Sequence, residues 1–149
     1  MNSLRVTKVL LLATPNLERA TRNSELNSPN YLYPMRREEA IQAWKEIKIA
    51  LEPMFDGDLD LQAILFIIGV QELGHGFQKL EKEQKVDVMH IAICTLMEPF
   101  GYYLYKGRDE DNWPHWEATG AMPHMKPMDQ NRFMQEAIIA YFRKQGLIV

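Results

Sequence analysis

Apolar residues recur every three to four positions along three stretches of this chain, and that spacing predicts helices. Over residues 36 to 52, Ala40, Ile41, Trp44, Ile47, Lys48 and Leu51 share one side. Arg36, Arg37, Glu38, Glu39, Lys45, Glu46 and Glu52 lie largely on the other. Pro34 and Pro53 bracket this helix, and Glu38 and Glu39 suit its positive end. Over residues 81 to 98, Val86, Met89, Ile93, Leu96 and Met97 form the predicted buried stripe, with Pro99 as the stop. Over residues 130 to 145 the stripe is Phe133, Met134, Ala137, Ile138, Tyr141 and Phe142, with Asp129 as the cap and Gly146 as the close. Leu147, Ile148 and Val149 then form a short strand or tuck into the core.

One segment breaks the two-sided rule. Residues 59 to 73 are apolar nearly all round, through Leu61, Ala63, Ile64, Leu65, Phe66, Ile67, Ile68 and Val70. A helix with no wet face must sit at the centre, covered by its neighbours. Asp56-Gly57-Asp58 supplies a turn before it, with Asp58 or Asp60 to cap it. Gly74-His75-Gly76 supplies left-handed positions after it.

Elsewhere the period changes. Residues 4 to 13 are apolar and β-branched, compatible with a short strand or a short buried helix, and Pro15 ends either one. Residues 16 to 33 are polar and read as a loop or arm, anchored at its far end by Tyr31, Leu32 and Tyr33. Residues 101 to 117 combine Gly101-Tyr102-Tyr103-Leu104-Tyr105, a charged turn, and Trp113-Pro114-His115-Trp116. A β-hairpin or compact aromatic loop follows from that order. The expected fold is therefore mainly α: one domain spanning residues 1 to 149, about four helices bundled around helix 59 to 73, and an aromatic hairpin near 101 to 117.

Composition narrows the function classes. The chain has 149 residues, 46% hydrophobic and 25% charged, which is globular rather than disordered. Its 17 basic and 20 acidic residues leave a net charge of −3, so neither nucleic acid nor an anionic membrane surface is an expected partner. The apolar run at residues 9 to 13 is shorter than a signal core, and the run from Ala63 to Val70 is far below the ~20 residues of a membrane helix. With a single cysteine, Cys94, no disulfide closes within the chain. A soluble, cytoplasmic protein is the expectation.

Candidate chemistry is sparse. Glu72-x-x-His75 has the spacing of half a carboxylate-bridged di-iron site, but no second such pair exists, and the glycines at 74 and 76 take His75 off the helical face. His90 falls about 10 Å along its helix from the level of Glu72, beyond shared ligation and nearer Leu65 as a half-buried, hydrogen-bonded residue. Glu98, the 56 to 60 turn, Asp109, Glu110 and Asp111 put carboxylates at one end of the bundle, yet the spacing from Asp56 does not follow an EF-hand loop. Glu72, His75, Asp109 and Asp111 are thus the only metal candidates, and no motif asks for a cofactor. Cys94, inside an apolar helical pattern, reads as inert.

The hairpin is the densest local feature. Tyr102, Tyr103, Tyr105, Trp113, His115 and Trp116 lie within fifteen residues. Tyr103 and Tyr105 fall on one face of the strand, Tyr102 and Leu104 on the other. The expected function is a non-catalytic binding or interaction module, using Tyr103, Tyr105, Arg108, Trp113, His115 and Trp116 toward a protein partner or small ligand, with a homodimer as one form. The alternative is a small-molecule or metal-binding helical enzyme with a pocket between hairpin and bundle, its polar groups drawn from His115, Glu72 and His90.

Overall fold

A computed structural model describes residues 35–76 and 79–149. The segments 4 to 13 and 16 to 33 lie outside the described residues. The described chain is mainly α, with helices α1 (Arg37–Leu51), α2 (Leu61–Leu73), α3 (Lys82–Met97) and α4 (Pro127–Lys144). Between α3 and α4 comes one antiparallel hairpin, β1 (Tyr103–Arg108) and β2 (Pro114–Ala118). Single 3-10 turns at Glu52–Met54 and Glu98–Phe100 carry Pro53 and Pro99, so both prolines sit just past a helix rather than inside it.

The apolar helix is central. Of the thirteen residues of α2, only Gln62 is exposed. Asp60 caps its start, accepting from the Ala63 N–H at 2.8 Å, and Gly74 ends it in the left-handed region at φ 74°. Helix α3 returns alongside, opened by Glu81, whose N–H donates to the Gln84 side chain at 2.9 Å. The two helices meet at Gly69. A Cβ there would fall on the Val88 carbonyl oxygen and 2.7 Å from Val88 Cγ1, so only glycine permits this approach.

The main core joins all four helices through Ala43, Ile47, Leu51, Ile64, Ile68, Leu96, Ile138 and Phe142, with Ile148 tucked in from the chain's end. A second cluster, Val70, Leu73, Leu80, Val88 and Ile91, lies between α2 and α3 and is roofed by Trp113 and Trp116. Helices α1 and α4 are further tied by Arg143 to Glu39 at 3.0 Å.

Three expectations change. Ile41 and Val86 are 58% and 66% exposed, not part of a buried stripe. Each stands two residues before the first buried residue of its helix, Ala43 and Val88, hence about 200° around the axis. Helix α4 begins at Pro127 behind Lys126, earlier than Asp129. Proline at the first helical position has no N–H to leave unpaired, which moves Asp129 inside the first turn, where the helix dipole favours a carboxylate. His90 is exposed on the hairpin side of α3 rather than half-buried, with its ring edge-on to Tyr103 at 6.2 Å, while the expected hydrogen bond is made to Cys94.

Candidate functional site

The candidate site is the hairpin together with the end of α2 on which it sits. Its turn, residues 109 to 113, is organised by one carboxylate. Asp109 Oδ1 accepts from the N–H of Asp111 at 2.9 Å and of Trp113 at 3.0 Å, while Oδ2 lies 2.7 Å from His115 Nε2. The bond from His115, with those backbone donors, holds the Asp109 carboxyl below its ordinary pKa. Asn112 takes the left-handed conformation at φ 64°, which asparagine tolerates.

Arg108 fastens the hairpin to the helices. Its Nη1 donates to the carbonyls of Leu73 at 2.9 Å and Asn112 at 2.7 Å, and its Nη2 to that of Glu72 at 2.8 Å. Glu72 and Leu73 belong to the last turn of α2, whose carbonyls have no partner within the helix. A cation there satisfies them and meets the negative end of the helix dipole. His75 adds a second tie, from Nε2 to the Asn112 carbonyl at 3.3 Å, and its ring packs edge-on against Trp113 at 6.0 Å.

The aromatic residues turn toward the body. Tyr103 packs on the main core, and Trp113 and Trp116 on the second cluster. Tyr105 and Trp116 face each other across the strands with ring centroids 5.3 Å apart. All four are half-buried. The opposite face presents Leu104, Lys106, His115 and Glu117, all exposed, with Lys106 and Glu117 paired at 3.1 Å. A bulge separates the two halves: Tyr105 lies opposite Trp116 and Gly107 opposite His115, leaving Lys106 as the extra residue.

The metal candidates do not converge. The Glu72 side chain is buried and accepts from the Tyr141 hydroxyl at 2.7 Å, whereas His75 points to the hairpin turn. Asp109 is engaged within its own turn. Among the described residues, no group of three or more His, Cys, Asp or Glu side chains is placed to hold a metal ion, and no helix is long and apolar enough to cross a membrane. The Tyr141–Glu72 bond spans 69 residues and no local pattern announced it. Asn112 was equally hidden, although asparagine before an aromatic run in a tight turn is the available signal.

Cys94 is buried in α3 with its sulfur 3.4 Å from His90 Nε2. Burial, and then the charge of Glu98, raise its thiol from 9.0 to about 11. The protonated thiol's advantage in the folded state is complete below pH 9 and declines as pH rises past it. Native protein at pH 8 is expected to leave Cys94 unlabelled by Ellman's reagent, with one thiol appearing on denaturation; rapid native labelling contradicts this burial.

Compared with family models, with curated proteins and with solved structures, the chain finds no match.

Proposed function

We propose that this protein is a non-catalytic interaction module and that its docking element is the outward face of the hairpin. The observation that carries this reading is a stiffly mounted hairpin with an exposed outward face. Tyr103, Trp113 and Trp116 serve to seat it, so a partner meets the face bearing Leu104, Lys106, His115 and Glu117.

A pre-ordered face spares the partner the cost of ordering it.

A Leu104→Ser, Glu117→Ala double variant tests the reading, because both side chains are exposed and neither seats the hairpin. The expected result is an unchanged circular dichroism spectrum together with loss of a protein that the wild type retains and that slows amide exchange at residues 104 to 106 and 115 to 117. Equal retention by both proteins overturns the proposal.

A further inference from the structure

We infer that Met122, Met125 and Met128 form a thioether site for a soft monovalent metal ion, copper(I), on the connection between β2 and α4. The site is separate from the outward face of the hairpin and does not depend on the reading of that face.

The sequence there is Met122-Pro123-His124-Met125-Lys126-Pro127-Met128. Its methionines recur at every third residue and stand apart from the packing of the body. Elsewhere methionine is used as core: Met97 is buried in the main cluster, and Met35, Met54, Met89 and Met134 pack against it. Met122, Met125 and Met128 belong to neither apolar cluster. Met122 and Met128 are 43% and 84% exposed, and Met125 is half-buried. Methionine is by preference a buried residue. Three of them outside the core within seven positions have no packing role to explain them.

The backbone presents the three together. Prolines at 123 and 127 keep Met122 and Lys126 out of the helical region, and Lys126 has φ −66° and ψ 153°, the polyproline II conformation. That conformation has three residues per turn, so Met122 and Met125 fall on one edge with Cα atoms about 9 Å apart. Met128 follows in the first turn of α4. Gln130 Nε2 donates to the Met125 carbonyl at 3.0 Å, which ties that residue to the same turn. At the other end, the Thr119 hydroxyl donates to the Gly101 carbonyl at 2.7 Å and accepts from the Ala121 N–H at 3.3 Å. The segment is held at both ends, while each methionine keeps the rotatable bonds that can bring its sulfur to a shared ion.

The donor set selects the ion. A thioether is a soft, polarisable donor without charge, matched to copper(I) rather than to calcium, magnesium or manganese. Residues 119 to 128 contain no Asp, Glu or Cys, so a hard dication finds no anionic oxygen there. His124, exposed between the first two methionines, is the nitrogen donor at hand for a fourth position. A monovalent ion also meets the least repulsion beside Lys126. Spacings of histidine and carboxylate do not mark this site, because its main ligands are sulfur.

Methyl NMR on the full chain tests this. Protein labelled at the methionine ε-methyls is titrated under argon with copper(I), kept monovalent by ascorbate. The expected result is one ion bound per chain, with the signals of Met122, Met125 and Met128 shifting together while those of the core methionines stay in place. A Met122→Leu, Met125→Leu, Met128→Leu triple variant removes the sulfur and nearly keeps the volume. It should retain the circular dichroism spectrum and lose the ion. Zinc(II) added in place of copper(I) should leave the three signals unmoved. Copper(I) that shifts none of the three signals overturns the inference. So does a triple variant that binds copper(I) as tightly as the wild type, which would direct the ion to the His90–Cys94 pair instead. Equal shifts with zinc(II) overturn the assignment to copper(I).

Discussion

Gly69→Ala is expected to be among the most damaging single substitutions in the described chain. Alanine is ordinarily the better helix former by about 1 kcal/mol, so a stabilised protein is the naive expectation. The close approach of α2 to α3 reverses the sign. The added carbon would clash with the Val88 carbonyl oxygen and stand 2.8 Å from the carbonyl carbon. Both are backbone atoms, which no rotamer change can move aside. The helices must separate, and the Ile64, Ile68, Val88 and Ala92 packing opens with them. Overpacking costs about 1–3 kcal/mol, which at its upper end is roughly 10 °C in melting temperature for a chain of this size. A thermal melt decides it, and an unchanged or raised midpoint contradicts the described α2–α3 contact.

Arg108→Ala should have the second largest effect, and a more localised one. It leaves the carbonyls of Glu72, Leu73 and Asn112 without their shared donor. Hydrogen bonds to a charged group are worth about 1.5–3 kcal/mol each when sheltered. This site is part-exposed, so the total expected is about 2–3 kcal/mol. The loss should fall on the hairpin seat. Tryptophan emission should shift to the red as Trp113 and Trp116 leave the cluster of Val70, Leu73, Val88 and Ile91, while far-ultraviolet helix signal is kept. Arg108→Lys should behave much like alanine, because an ammonium lacks the planar fork that reaches several carbonyls. Full retention of stability and emission in Arg108→Ala would show that the seat holds without the clamp.

The architecture was legible where one residue pattern had one physical solution. A helix apolar on every side has nowhere to go but the middle, and α2 is there. Periodicity alone left the phase of a stripe open. Ile41 and Val86 obey the spacing, yet lie across the axis from Ala43 and Val88, because the neighbouring helix and not the period chooses the buried side. The hairpin shows the same limit. Alternation placed Tyr103 and Tyr105 together, but which face turns inward depends on the seat between α2 and α3, where Val70 and Ile91 stand far back along the chain from Trp113. Arg108 reads from the sequence as a polar contact for a partner, and no local pattern signals its bonds to helical carbonyls 35 and 36 residues distant. Glu72 drew notice through a short motif, while its hydroxyl partner comes from the last helix.

The pairing of α1 with α4 has a kinetic consequence. Glu39 and Arg143 are 104 residues apart, whereas α2, α3 and the hairpin meet their neighbours in chain order. Loop-closure entropy rises with the length closed, so the sequential contacts can form on fast local searches and the α1–α4 docking must wait for the longest one. Substitutions in the α1–α4 seam, Arg143→Ala among them, should then act mainly on the unfolding rate, with little change in the rate of refolding.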